Sequence, residues 1–148
     1  AANGDYCGVS VDELKIKERL QAEAMLLKER PSEISFYSKM AQIGDIFYES
    51  IGIVRDEKSL ESAELALGEI EKELHLMGLK DKSSSFNTNF FDYLEFENML
   101  LVAKIVLECA TKRQESRGAH YRGDFAAQNG EAPVHSMASL TRGVWHES

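Results

Sequence analysis

Arg113, Glu115, Arg117, His120, Tyr121 and Arg122 fall within KRQESRGAHYRGDF, residues 112 to 125, the densest concentration of recognition chemistry in this sequence. A guanidinium is a rigid fork of donors that matches carboxylates and backbone carbonyls, so a loop with three of them has the makings of a docking surface. A simpler role is also open. Basic residues in the last turn of a helix complement its negative end, and Gly118 could serve as the left-handed residue just past it. Capping accounts for Lys112 and Arg113. Arg117, His120 and Arg122 follow the expected helix end and cannot all lie within its last turn.

Other chemistries find less support. No two of the ten glycines are separated by a single residue, so neither GxGxxG nor a Walker loop can be written. A di-iron centre in a helical bundle needs Glu-x-x-His pairs, and no histidine has a glutamate three positions before it. Glu71 and His75 share a helix face, which reads as solvated surface in the absence of a second such pair. Glu95 and Glu97 occupy the most apolar segment, where an i, i+4 pairing of Lys104 with Glu108 suggests an ordinary polar stripe. Asn98 suits a buried hydrogen bond to a loop. Cys109, near a helix C-terminus, faces a dipole that disfavours a thiolate, and no metal-ligand spacing joins it to Cys7. No catalytic, cofactor-binding or metal-binding residue is therefore assigned.

A formal net charge of -8 over 148 residues argues against general attraction to nucleic acid or anionic lipid. The basic cluster is local, so its partner should be local. MLLVAKIVLECA, the most apolar stretch, is short and interrupted by Lys104 and Glu108, and direct membrane insertion is not expected. AANGDYCGVS lacks the basic and apolar regions of a signal peptide, and an Ala at position 1 suits a processed chain or an excised fragment.

The elements that must position the cluster read as helices throughout. Ser10 and Glu13 have the form of a capping box, and VDELKIKERLQAEAMLLKER runs without Gly or Pro to Pro31. Ile34, Tyr37, Ala41, Gly44, Tyr48 and Ile51 recur at threes and fours, predicting the buried stripe of a second helix over about 32–51. Asp56 can cap a third, over about 57–77, with Leu60, Ala63, Leu67, Ile70, Leu74 and Met77 as its core stripe. DKSSSFNTN is a loop whose Thr88 or Asn89 can cap a fourth helix, over about 89–114, with Phe96, Met99, Ala103, Val106 and Ala110 inward. The expected organisation is a lead at 1–10, a helical domain at 11–118 and an irregular tail at 119–148 that orders by lying on something else.

ESRGAHYRGDF, with FNT at 86–88, LEFENMLLVA at 94–103 and GIVRDEKSLESA at 52–63, resembles the C-terminal helical domain of succinate dehydrogenase and fumarate reductase flavoprotein subunits. L-aspartate oxidase has a similar domain, but the stretch from Ala119 to Arg122 is nearer the succinate and fumarate enzymes. The resemblance implies an all-α, up-down three-helix bundle, spectrin-repeat-like, with an additional N-terminal helix as lead-in. It implies FAD in the parent protein and none in this chain. The partners it implies are the FAD-binding domain of the same polypeptide and an iron-sulfur subunit, with a cytoplasmic location at the inner membrane through those partners. The chain departs from the family after Arg122, with Gly123, Ala126 and AAQNG where acidic residues and a proline are usual. VHSM at 134–137 is faintly similar to a later His-Ser segment of the family. A free-standing helical adaptor using the same basic loop is the alternative of another class.

Overall fold

The computed structural model of the chain describes residues 13–127, 135–136, 138–141 and 144–147. Cys7, the Ser10 cap, Val134 and Met137 lie outside these residues. Helices α1 (Glu13–Glu29), α2 (Phe36–Ser50), α3 (Glu57–Lys72) and α4 (Thr88–Lys112) follow in order, and α2, α3 and α4 each pack on the other two. Ser32 bridges Met77 at one end of the bundle, while Ile53–Arg55 meets Tyr121–Gly123 at the other, so the path is up-down-up as expected.

Helix α3 is the most regular. Its N-cap Asp56 accepts from the Ser59 amide, and the Ser59 hydroxyl in turn accepts from the Asp56 amide, closing a capping box. Leu60, Ala63, Leu67 and Ile70 are each no more than 1% exposed, and a 3-10 turn at Leu74–Leu76 delivers Met77 and Leu79 into the same core.

Helix α2 differs from its expected register by one residue. The stripe is Phe36, Met40, Ile43, Phe47 and Ile51, while Tyr37 and Tyr48 are exposed. Both registers keep the helical period, but Phe, Met, Ile and Phe remove far more apolar area from water than Tyr, Ala, Gly and Tyr. The helix also begins later than Ser32: its N-cap is Ser35, and the preceding Glu33 and Ile34 donate their amides to the Leu76 carbonyl at 3.1 and 3.3 Å.

Helix α4 is capped by Asn87 rather than Thr88 or Asn89. Its Oδ1 accepts from the Phe90 amide at 2.9 Å and its Nδ2 donates to the carbonyls of Asp81 and Ser83. A carboxamide serves helix and loop together, which a threonine hydroxyl cannot. Tyr93, Phe96, Leu100, Ala103, Leu107 and Ala110 form the inward face; Met99 is only partly buried and Val106 is exposed, against expectation. Phe36 meets Tyr93 edge-on with centroids 5.4 Å apart, joining α2 to α4. Lys104 reaches across to Glu71 at 2.7 Å and Glu108 pairs with Lys112, in place of the expected Lys104–Glu108 pair.

Gly78 lies at a close approach of two backbone segments. An added Cβ would stand 2.3 Å from the Arg30 carbonyl oxygen and 2.8 Å from that of Pro31, both backbone atoms that cannot swing away. Gly78→Ala is expected to destabilise the domain toward the top of the roughly 1 to 3 kcal/mol range of overpacked sites, read from denaturant midpoints. An unchanged midpoint would contradict this close approach.

The last segment is the main correction. The sequence predicts an irregular tail from 119, yet β1 (Val54–Arg55) pairs in parallel with β2 (Tyr121–Arg122), and β3 (Ala138–Thr141) pairs antiparallel with β4 (Val144–Glu147). Residues 119–127 belong to the bundle: the Tyr121 and Gly123 amides bond to Ile53 and Arg55, and the Ser116 amide to Ala127. Strand pairs this short carry too little alternation to be seen in a sequence.

Candidate docking site

The cluster divides into an inner clamp and an outer rim. Helix α4 ends at Lys112, and the last turn of any helix leaves carbonyls without intrahelical donors. Arg122 supplies them: its Nη1 donates to the carbonyls of Ala110 and Thr111, both at 3.1 Å. Its other donors hold Asp124 in a fork, Nε to Oδ1 at 2.7 Å and Nη2 to Oδ2 at 2.6 Å, and the cation lies 5.0 Å over the Phe125 ring. The residue is 2% exposed.

The sequence predicts Arg122 as an outward docking contact. It is instead an internal cap, because its guanidinium is engaged by its own domain along every edge. Gly118 is likewise not the residue after the helix. With φ at +59°, it opens a two-residue turn in which Arg117 and His120 exchange backbone hydrogen bonds. That turn folds the chain back so Arg122 can reach α4.

Ser116 and Asp124 complete the clamp, and neither stands out in the sequence. Ser116 is buried; its hydroxyl accepts from the Arg122 amide at 2.8 Å and donates to the Phe125 carbonyl at 2.8 Å. Asp124 also accepts from the Glu57 amide at 3.0 Å, tying the loop to the start of α3. The Arg-x-Asp spacing is the one signal that could have found it.

Hydrogen bonding from Arg122 is the chief cause that holds the Asp124 carboxyl down at about 2, below its ordinary 3.8. A carboxyl depressed on folding stabilises the native state fully above its unfolded value, and that contribution is lost as pH falls through the folded one. Acid denaturation between about pH 4 and pH 2 should therefore be shallower in Asp124→Asn than in the wild-type chain, measured by urea midpoints at each pH. Parallel curves would show that this carboxylate is not coupled to folding.

The rim consists of the remaining predicted residues. Glu115, only 9% exposed, lies between Arg113 and Arg117, whose Nε atoms are 3.2 and 3.1 Å from its two oxygens. Glu115 thus acts as an internal counter-ion. His120 is half-buried, and its Nε2 lies 3.2 Å from the Arg113 carbonyl and, facing an acceptor, must donate. Burial, and then the cations of Arg55, Arg113 and Arg122, hold His120 below the usual imidazole range. Tyr121 is exposed, as are Ile53 and Val54 on the paired strand. Arg113 and Arg117 are thus half-buried beside Glu115, and Tyr121 is exposed.

The chain belongs to the fumarate reductase flavoprotein C-terminal family, whose profile matches residues 40–144. It is 32% identical over 117 residues to a chain of the CoM/CoB fumarate reductase of Methanothermobacter marburgensis, covering 79% of this chain and 20% of that one. It is 35% identical over 85 residues to the L-aspartate oxidase of Vibrio cholerae, covering 57% and 15%. The fold is similar to that of the Escherichia coli quinol fumarate reductase protein FrdA, with a TM-score of 0.77 at 22% identity over 99% of this chain and 26% of that one. The chain thus spans about a fifth of the length of the curated relatives it matches.

Phosphates seat on open helix N-termini behind a strand. The β1–α3 junction is closed by the Asp56 and Asp124 carboxylates, which take the Ser59 and Glu57 amides and would repel an anion, so this junction does not fit the phosphates of a flavin dinucleotide.

Proposed function

We propose that this chain is the non-catalytic C-terminal helical domain of a succinate dehydrogenase or fumarate reductase flavoprotein subunit. It stiffens the scaffold around an FAD held by the flavin-binding domain of the same polypeptide, while electrons pass between succinate or fumarate and an iron-sulfur subunit. The observation carrying this reading is the family match over residues 40–144 of a chain that is only about a fifth of its relatives' length, which leaves the flavin and substrate sites to the rest. Arg113, Arg117, His120 and Tyr121 form the face that docks on the flavin-binding domain. None of the described helices is long and apolar enough to cross a membrane, and attachment to a cytoplasmic membrane surface would run through the partner subunits.

The purified chain mixed with FAD and succinate should show neither a flavin spectrum nor dye reduction, whereas the parent polypeptide should show both. Stoichiometric flavin binding by the chain alone would overturn the reading, as would a native reading frame without flavin-binding sequence upstream of Ala1. The 35% identity to an aspartate oxidase favours one second reading, the same domain in an aspartate-oxidising parent. Assay of the parent on succinate and on aspartate separates the two.

A further inference from the structure

The geometry points to Arg55 as the seat of a carboxylate side chain supplied by the flavin-binding domain, an assignment that rests on the docking reading above. Arg55 sits in β1 directly opposite Arg122 in β2. Arg122 is satisfied; Arg55 is not. Its Nε is buried without a hydrogen-bond partner, and among the described residues no hydrogen bond or ion pair reaches its guanidinium. Burial, and then the like charge of Arg122, push Arg55 below the usual arginine range.

A half-buried cation beside another cation, with a dry donor and no acceptor, is an arrangement that folded chains resolve with a counter-ion. Of the acids of the same corner, Asp56 caps α3, Asp124 holds both Arg122 and the Glu57 amide, and the exposed Glu57 makes no ion pair with Arg55. As folded, this corner supplies Arg55 with no acceptor.

The surroundings indicate what kind of group arrives. Ile53, on the same side of the strand as Arg55, is 69% exposed, and Val54 and Tyr121 on the other side are 68% and 41% exposed. A protein surface laid over Ile53 would exclude water from a bidentate guanidinium–carboxylate pair at Arg55 on the same side, where such pairs fix register. A small mobile anion would leave the apolar groups uncovered. The bulk of the relatives' length lies outside the region matched here, so the polypeptide itself holds the nearest supply of such a surface.

The test uses the full parent polypeptide. In R55K, carbodiimide should couple the ammonium at position 55 to an aspartate or glutamate of the flavin-binding domain, mapped by peptide mass spectrometry. In the unmodified parent, Arg55 should be spared by phenylglyoxal, and the side chains of Ile53, Val54 and Tyr121, exposed in this domain, should be protected from hydroxyl-radical oxidation. Coupling only within this domain, or none, with those side chains still protected, would overturn the Arg55 assignment and leave the docking reading standing. Ready oxidation of those side chains together with ready modification of Arg55 would overturn both.

Discussion

Arg122→Ala is expected to cost about 1 to 3 kcal/mol of folding stability, the range for leaving buried acceptors without their donor. Three losses coincide in that one side chain. The Asp124 carboxylate loses its fork, the carbonyls of Ala110 and Thr111 at the end of α4 lose their donor, and Phe125 loses the cation over its ring. Arg122→Lys should recover little, because an ammonium is a point charge that cannot hold a carboxylate by two parallel bonds while capping two carbonyls. Chemical denaturation of the three chains measures this. A loss below about 1 kcal/mol in the alanine variant would mean that solvent replaces these bonds at an ordinary surface site, and would contradict the clamp.

Leu67→Ala should cost roughly 2 to 5 kcal/mol, the transfer of a buried leucine plus the cavity it leaves. Leu67 is 1% exposed in the middle of the α3 stripe, in a helix that packs on both α2 and α4, which cannot both collapse inward. Leu65 provides the control. On the same helix but 73% exposed, it should tolerate alanine within about half a kcal/mol. Similar losses for the two variants, or a loss at Leu67 below about half a kcal/mol, would refute the register assigned to α3.

How far the fold is legible in the sequence depends on how many residues repeat a signal. The α3 stripe has a three-four alternation with large aliphatic groups and one acidic cap, so period and chemistry agree. In α2 two stripes one residue apart share the period, and only side-chain area separates them; the stripe through Tyr37 is the wrong one. The Asn87 cap lies one residue before the expected candidates because it bonds backward into the loop, a contact that needs the loop's folded path.

The basic loop is legible as unusual and not as to purpose. Its charges suggest either capping or docking, and the fold divides them: Arg122 caps, Glu115 holds the half-buried Arg113 and Arg117, and Tyr121 is exposed. Nothing in GIVRDEK marks Arg55 apart from other surface arginines. Its isolation emerges only once β1 is laid against β2, from far along the chain.

That parallel ribbon has a kinetic consequence. Val54 and Tyr121 can meet only after the chain between them has folded into two helices, so the entropy of closing a long loop falls on a few backbone bonds. Local helical turns form early and non-local strand contacts late. A nascent chain that ended at Gly118 would retain its helices but lack the fastening between the first half of the bundle and the last. On this ground the ribbon is expected to close late, after the helices that it fastens.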